Sequence, residues 1–123
     1  MRKLQLDAKH GLRINSKVTN LRGACIHHDN GIIGAATLAD AEDFRCQKLK
    51  DAGFNAIRSS HHPMSKEMLA ACDKIGMLVM DELIDMWNNP KHENDFSFEF
   101  SESWSDQITK MVAKDFNHPS VIL

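Results

Sequence analysis

The fold of this 123-residue chain is decided by the stretch Gly76-Met77-Leu78-Val79-Met80-Asp81-Glu82. Its four apolar residues, Met77 to Met80, form a continuous run instead of alternating with polar residues. Such a run is typical of a strand that is buried on both faces, in a parallel sheet covered by helices. The glycine predicts the end of a preceding helix, and the two carboxylates follow the strand. The stretch therefore predicts an α/β fold.

Upstream of this strand, the sequence predicts two strand–helix units. The strand candidates are residues 21–26 and 54–58. Ser65 is placed to cap a helix whose apolar residues share one side, namely Met68, Leu69, Cys72 and Ile75. Thr37 and the acidic residue three positions later form a capping box for the other helix, which Gly53 ends. Alternating strands and helices indicate parallel strands joined by helical crossovers.

Downstream, residues 85–101 are predicted to form a polar and aromatic loop before a third helix. Ser103 and Asp106 form the expected capping box of that helix, whose apolar positions are Trp104, Ile108, Met111 and Val112. Residues 121–123 begin a fourth strand. Two short alternating stretches near the start predict a β-hairpin, so we divide the chain into a lead-in, residues 1–20, and a barrel segment, residues 21–123.

The strand spacing suits either an open doubly wound sheet or a TIM barrel, the (β/α)8 fold. An open sheet that binds a nucleotide usually has a glycine-rich phosphate loop after its first strand, and Gly23, Gly31 and Gly34 do not supply one. A complete barrel needs about 250 residues, so on the barrel interpretation this chain is about half of one.

Composition excludes several classes of protein. A net charge of -2 and a pI of about 6.4 leave no broad basic surface for nucleic acid. No run of about 18 apolar residues is present for a membrane span, and the first four residues lack the apolar core of a signal peptide. The cysteines, Cys25, Cys46 and Cys72, are odd in number and lack a Cys-x-x-Cys spacing. We interpret them as buried reduced thiols, which favours the cytoplasm without fixing the location.

Residues that can bind a ligand or take part in a reaction follow each predicted strand. They are His27-His28-Asp29 after the first, His61-His62 after the second, and Asp81-Glu82, Asp85 and Trp87 after the third. The carboxyl ends of parallel strands form the active face of such folds, so we expect a site there. Arg58, at the end of a buried strand, needs a ligand or a carboxylate partner, with Asp81 or Glu82 as the structural choice. The structural alternatives are carbonyl contacts for His28 and His62, a loop-holding role for Asp81 and Glu82, and loop packing for Trp87. The functional alternative for Trp87 is that its ring stacks on the apolar face of a sugar.

Five motifs together resemble the catalytic barrel of glycoside hydrolase family 2. They are Leu21-Arg22-Gly23 with His27-His28-Asp29, Asn55 to His61, Cys72 to Gly76, Val79 to Glu82, and Asn117 to Ile122. Ile84-Asp85-Met86-Trp87, with Phe100, Trp104 and Asp106, is most similar to the β-galactosidase branch. The resemblance implies a partial TIM (β/α)8 barrel, with the first three βα units and the start of strand four.

The family's members are retaining enzymes, in which one carboxylate attacks the anomeric carbon and a second, about 5–5.5 Å away, acts as acid and base. In the family, the acid/base glutamate follows the fourth strand in a Trp-Ser-x-Gly-Asn-Glu-like stretch, and the nucleophile comes later. Neither is found in this sequence. The resemblance thus implies no catalytic residue within the chain, no cofactor, and no activity for the chain alone.

The resemblance also implies roles for residues that are present. His27 and His61 match histidines that contact the sugar, Arg58 matches the arginine that orients the nucleophile, and Asp85 and Trp87 lie where the branch contacts substrate. Supporting positions are His28, Asp29, Asp81, Glu82, Asn117 and His118. The implied partner is a carbohydrate, a β-galactoside, bound by the full-length enzyme.

Two other functions remain open from the residues alone. One is a sugar-binding or interaction module without catalysis. The other is a metal-dependent hydrolase, since His27, His28, His61 and His62 could be interpreted as zinc ligands. We expect no nucleic-acid or membrane partner. We do expect self-association, because stopping at Leu123 leaves the first and fourth strands as exposed edges.

Overall fold

The computed structural model describes residues 2–123 and has an α/β fold with two small sheets and three α-helices. The first sheet contains β1 (Leu4–Asp7), β2 (Gly11–Ile14) and β3 (Lys17–Val18). The second contains β4 (Gly23–Ile26), β5 (Ala56–Ser59) and β6 (Leu78–Met80). The helices are α1 (Ala39–Asp51), α2 (Lys66–Ile75) and α3 (Ser97–Asp115), and a short 3-10 turn covers Gly31–Ile33.

The N-terminal sheet is antiparallel, in the order β1-β2-β3. Asn15 and Ser16 connect β2 to β3 with positive φ angles of 51° and 67°, the left-handed conformation that tight hairpin turns use. The predicted hairpin is therefore extended by one strand. Because β3 has only two residues, Lys17 and Val18, it is too short to show an alternating pattern in the sequence. The division of the chain into residues 1–20 and 21–123 stays a prediction.

The second sheet is parallel, in the order β4-β5-β6, and it is open. Val79 also forms a parallel bridge with Val121, so the last residues lie beside β6, where the sequence predicts the start of a fourth strand. The close approach of β4 and β5 depends on Gly23, where a Cβ atom would lie 3.2 Å from the carbonyl oxygen of Ala56. Each crossover in this sheet contains one helix, first α1 and then α2.

The core lies on one face of the parallel sheet. Its members come from the sheet, from α1 and α2, and from their connections: Ile26, Cys46, Ile57, Met64, Met68, Leu69, Ala71, Cys72, Met77 and Val79. The prediction of burial on both faces is wrong for this chain, since Met80 is 38% exposed. Successive strand residues point to opposite faces, so Cys25 and Met80 share the uncovered face. Cys25 is consequently exposed, whereas the prediction that Cys46 and Cys72 are buried free thiols is confirmed.

Helix α2 follows its sequence signals closely. The Ser65 hydroxyl accepts a hydrogen bond from the Met68 N–H at 3.1 Å, and Gly76 ends the helix in the left-handed conformation, with φ of 77°. In contrast, Thr37 does not cap α1, because its hydroxyl donates to the Glu67 carboxylate at 3.3 Å. The helix begins after Leu38 without a side-chain cap.

The buried side of α1 also differs from the predicted one. Phe44 is exposed, whereas the Glu42 carboxylate is fully buried. The Asn30 amide donates to Glu42 at 2.7 Å and the Arg45 guanidinium at 3.2 Å, and these bonds compensate the carboxylate for its lost hydration.

Helix α3 begins at Ser97, six residues before the predicted cap. Asp95 accepts hydrogen bonds from the Ser97 N–H at 2.9 Å and the Ser97 hydroxyl at 2.5 Å, and these bonds hold the pKa of Asp95 well below its ordinary value. Ser103 therefore lies inside the helix, where its hydroxyl donates to the Glu99 carbonyl at 2.7 Å. Within residues 2–123, none of the helices combines the length and apolar character needed to cross a membrane.

Candidate active site

A cavity of about 470 Å³ opens beside the carboxyl ends of β5 and β6. One side is polar and the other is apolar. The lining residues are Arg58, His61, Glu82, Leu83, Ile84, Asp85, Trp87, Phe100, Trp104 and Ile108. Four of the five residues that the sequence predicts to bind substrate therefore line this cavity, and the exception is His27.

Arg58 and Glu82 form the polar base of the cavity. Arg58 lies on β5 opposite Met80, and Glu82 follows Met80 by two positions, so both side chains leave the same face of the sheet. The Nε and Nη2 groups of Arg58 donate to the two oxygens of Glu82, with Nη2 to Oε2 at 3.1 Å. The prediction that Arg58 pairs with Asp81 or Glu82 is confirmed, with Glu82 as the partner. This pairing raises the pKa of Arg58.

His61 joins the same network through one ring nitrogen. Its Nδ1 atom lies 3.1 Å from Arg58 Nη2 and 3.2 Å from Glu82 Oε2. Asp85 Oδ1 is further away, at 3.9 Å. The peptide bond between Ser60 and His61 is cis. The network fixes the His61 ring at the edge of the cavity, where its other nitrogen remains available to a ligand.

His27 approaches this network from β4. Its ring packs edge-on against the His61 ring, with the centroids 6.0 Å apart. The His27 carbonyl accepts a hydrogen bond from Arg45 at 2.6 Å, which ties the loop after β4 to α1. The structure thus brings the two predicted sugar-contacting histidines together, although His27 is exposed outside the cavity lining.

Asp85 and Trp87 belong to the loop after β6. Asp85 accepts a hydrogen bond from Lys91 at 2.8 Å, which lowers the pKa of Asp85. The Trp87 ring is parallel to the Phe100 ring within 4°, with a centroid distance of 6.3 Å. Trp87 nevertheless stays 66% exposed, so this contact leaves most of the indole accessible.

Histidines 28 and 62 hold the backbone outside the cavity. His28 Nε2 accepts a hydrogen bond from the Ser65 N–H at 3.1 Å, and His62 Nδ1 lies 3.2 Å from the Pro63 carbonyl oxygen. Their rings are 4.1 Å apart. Burial, and then the neighbouring His62, lower the pKa of His28. Asp29 accepts from the Gly31 N–H at 3.3 Å, which shapes the loop after β4.

Asp81 connects β6 to the loop that carries His61. Its carboxylate accepts a hydrogen bond from the Met64 N–H at 2.9 Å, while Lys114 of α3 donates to the Met64 carbonyl at 2.6 Å. Lys114 also pairs with the buried Asp115. Burial and the adjacent Asp115 carboxylate raise the pKa of Asp81 to about 6.

The last two predicted supporting residues lie away from the cavity. His118 Nδ1 is 2.6 Å from Asp73, which also accepts from the Ser120 N–H at 2.8 Å. Burial raises the pKa of Asp73, but the bonds from Ser120 and His118 outweigh it and the net change is downward. This pair anchors the segment that leads to Val121, and Asn117 beside it is exposed.

The carboxylates that line the cavity are already matched to cations. Glu82 is bound by Arg58 and Asp85 by Lys91. In residues 2–123 there is no group of three or more His, Cys, Asp or Glu side chains placed to hold a metal ion. The interpretation of the four histidines as zinc ligands therefore has no geometric support.

Several lining residues were missed in the sequence. Phe100 was predicted to lie in the loop of residues 85–101, and Trp104 and Ile108 were predicted only as apolar positions of the third helix, so none of the three was assigned to a site. The two residues after Glu82, Leu83 and Ile84, carried no signal beyond their place after a strand.

Comparisons with known proteins give a consistent family. Residues 6–123 match the family described as glycosyl hydrolases family 2, TIM barrel domain. The chain is 40% identical over 123 residues to beta-galactosidase BoGH2A from Bacteroides ovatus, covering all of this chain and 14% of that protein. It is 35% identical to a putative beta-glucuronidase from Formosa agariphila, covering 92% of this chain and 11% of that protein.

Among solved structures, a glycosyl hydrolase family 2 member from Bacteroides cellulosilyticus superposes with a TM-score of 0.95 at 46% identity. The match covers 98% of this chain and 16% of that chain. A beta-glucuronidase from Parabacteroides merdae superposes with a TM-score of 0.83 at 28% identity, covering 98% of this chain and 14% of that one. The chain thus spans between 11% and 16% of the length of these four proteins.

Proposed function

The chain belongs to glycosyl hydrolase family 2 through its TIM barrel domain, and from this membership we propose that it forms the substrate-facing wall of a retaining, β-galactosidase-type barrel. The observation that carries the proposal is the network of Arg58, His61 and Glu82 at the base of an open cavity. In the proposed barrel, β4, β5 and β6 are the first three strands, and Val121 lies in the fourth. A site at their carboxyl ends agrees with the general architecture of such enzymes.

The charge of the cavity favours an uncharged sugar such as galactose. A glucuronide carries a carboxylate, which would require a free cation near the sugar. The one arginine of the lining, Arg58, is paired with Glu82, and the cavity lining formed by the described residues contains no lysine. An anionic sugar would therefore find no free cation in this lining, whereas the hydroxyl groups of an uncharged sugar can bond to His61 and to carboxylate oxygens.

We also propose that the chain alone does not hydrolyse glycosides. Retaining catalysis needs one carboxylate free to attack and one carboxyl group that donates a proton. The two carboxylates in the cavity, Glu82 and Asp85, are both paired with cations. An assay with nitrophenyl β-galactoside should show no turnover above a buffer blank. Turnover that Arg58→Ala abolishes would contradict the proposal.

A chimera tests the role of the wall in catalysis. The matching segment of the Bacteroides ovatus beta-galactosidase is replaced by these 123 residues. The chimera should hydrolyse nitrophenyl β-galactoside. Arg58→Ala or His61→Ala should lower its kcat/KM by about 100-fold, because reacting groups that are held out of position lose roughly that factor in rate. Phe44→Ala, an exposed position on α1, is the matched control and should have no effect.

The chimera separates the possible failures. A folded chimera that is inactive on the galactoside but active on nitrophenyl β-glucuronide would overturn the choice of sugar. A folded chimera that hydrolyses neither compound would overturn the proposed role of the wall. Equal losses for Arg58→Ala and Phe44→Ala would show that the effect of Arg58 is not local.

We further propose that copies of this chain self-associate. Strand β4 lies at the edge of the parallel sheet, and the sheet face that bears Met80 is uncovered in the described residues. Unpaired edges and apolar faces favour pairing with another chain. Sedimentation at increasing concentration should show dimers or larger species, and a monomer at all concentrations would contradict this.

A further inference from the structure

Two of the three cysteines meet in the core, where α1 packs against α2. Cys46 lies on α1 and Cys72 on α2, and both side chains are fully buried. Their Sγ atoms are 3.9 Å apart, close enough for one thiol to donate a hydrogen bond to the other. Cys25, the third cysteine, is exposed on the opposite face of the sheet. Each core thiol therefore has the other as its thiol partner.

The burial of these two thiols comes from elements that the chain itself contains. The core around them includes Leu69 of α2, Met77 and Val79. Because the chain already excludes solvent from both sulfur atoms, their contact does not depend on what else surrounds the chain. The pair is also remote from the lining of the candidate active site, so it is independent of the proposed glycosidase function.

The two thiols are not equivalent. The hydrogen bond from Cys72 lowers the pKa of Cys46 more than burial raises it, and the charge of Lys50, one helical turn further along α1, lowers this pKa as well. The same hydrogen bond and burial both raise the pKa of Cys72. The thiolate is the form of cysteine that reacts with an oxidant. Cys46 is therefore the sulfur that reacts first, and Cys72 is the thiol that lies beside the product.

We propose that Cys46 and Cys72 are a redox pair, which a hydroperoxide converts to a disulfide that fastens α1 to α2. The Cys46 thiolate attacks one oxygen of the peroxide, the O–O bond breaks, and the sulfur becomes a sulfenic acid. The hydroxide that leaves takes up the proton that Cys46 released. The Cys72 sulfur then attacks the sulfenic sulfur, the S–O bond breaks, and the oxygen leaves as water with the Cys72 proton. The two sulfurs lose two electrons, which the peroxide gains.

Closing the disulfide needs a short movement inside the core. The sulfur atoms must approach each other by about 2 Å to reach bonding distance. Rotation about the Cα–Cβ bonds and a small shift of the two contacting helices supply this approach. Hydrogen peroxide is little larger than water, so local openings of α1 admit it to the buried thiols. The disulfide links positions that are 26 residues apart, and it therefore restricts the unfolded chain and stabilises the folded one.

Mass spectrometry and thermal denaturation test the pair in the Cys25→Ser variant, whose thiols are Cys46 and Cys72 alone. The variant is treated with excess hydrogen peroxide and then alkylated in denaturant. The product should carry no alkyl group, and reduction with dithiothreitol before alkylation should restore two alkylated thiols. The same reduction should lower the Tm of the oxidised sample by about 5 to 10 °C. Methionine sulfoxides resist dithiothreitol, so the two samples differ in the disulfide alone.

A matched variant assigns the first step to Cys46. In the same background, Cys72→Ser removes the second thiol but keeps a hydroxyl that can donate to Cys46. Peroxide should then leave a sulfenic acid on Cys46, which dimedone labels, and the Tm should not change on reduction with dithiothreitol. Circular dichroism checks the fold, and Cys72→Ala replaces the serine variant if that variant is unfolded.

Several results would overturn the proposal. One is the recovery of two alkylated thiols after a peroxide treatment that has oxidised the exposed Met80. A second is a disulfide whose reduction leaves the Tm unchanged or raises it. A third is an equal fall in Tm on reduction in the Cys72→Ser variant, because that fall could not come from a bond between the two cysteines.

Discussion

Helices α2 and α3 both carry an apolar stripe in their sequences, but the two stripes have different surroundings. α2 buries Met68, Leu69, Ala71 and Cys72 between α1 and the sheet. α3 leaves Trp104, Ile108 and Val112 exposed, and its buried residue is the carboxylate Asp115. Periodicity thus identifies the apolar side of a helix without telling whether protein, ligand or solvent contacts it.

The largest expected difference in the free energy of unfolding is between two variants that each shorten an aliphatic side chain to alanine. Leu69 on α2 is fully buried, so Leu69→Ala should destabilise the chain by about 3 kcal/mol through lost burial and a cavity. Ile108 on α3 is 39% exposed, and Ile108→Ala should cost less than about 1 kcal/mol. Urea denaturation of both variants measures this. Equal losses would mean that α3 is packed as tightly as α2.

The attachment of α3 should depend on pH through Asp81. Its pKa of about 6 exceeds the ordinary value, so the folded chain holds a proton that the unfolded chain releases. The stability from this proton is complete below about pH 4 and is lost as the pH rises through about 6. Asp81→Asn stays neutral and its amide can donate to Asp115. At pH 7 it should therefore be more stable than the parent chain by about 1 kcal/mol, after allowance for partial exposure.

Thermal denaturation from pH 4 to pH 7 measures the difference in stability between Asp81→Asn and the parent chain, which should shrink towards pH 4. The control is Asp106→Asn, an exposed partner of Lys110 on α3, whose removal should change stability by less than about 0.5 kcal/mol at every pH. A stability difference for Asp81→Asn that does not vary with pH would mean that Asp81 is ionised throughout.

The smallest expected difference in stability is between alanine variants of the two serines that were predicted from the sequence to be helix caps. Ser65 caps α2, so Ser65→Ala should cost about 1 kcal/mol. Ser103 lies inside α3 with its hydroxyl on the Glu99 carbonyl, and Ser103→Ala should be neutral or slightly stabilising, because alanine has the higher helix propensity. Chemical denaturation resolves the pair. A loss of about 1 kcal/mol for Ser103→Ala would contradict the helix start at Ser97.

The order of strands and helices could be predicted because its signals are local. Ser65 and Gly76 each act within one helical turn, and the pairing of Arg58 follows from the cost of an unpaired charge on a buried strand. The start of α3 was missed because Asp95, two residues before Ser97, supplies the hydrogen bonds. The buried Glu42 was missed because its partner Asn30 lies in another element.

The cavity itself could be predicted in part. Several of its lining side chains lie at or after strand ends, so the carboxyl-end rule finds Arg58, His61, Asp85 and Trp87. The side chains on α3 depend on how that helix lies across the loop, which spacing within the helix does not determine. Phe100 and Trp104 have the same four-residue spacing whether they face a core or a ligand.

Met64 shows how the loop that carries His61 can tolerate substitutions over evolutionary time. Asp81 binds its N–H and Lys114 binds its carbonyl, and both groups belong to the main chain. Any residue except proline provides the same two groups, so replacing Met64 by another apolar side chain of similar volume keeps the loop tethered. Sequence drift at this position can therefore alter packing beneath the loop while His61 keeps its place.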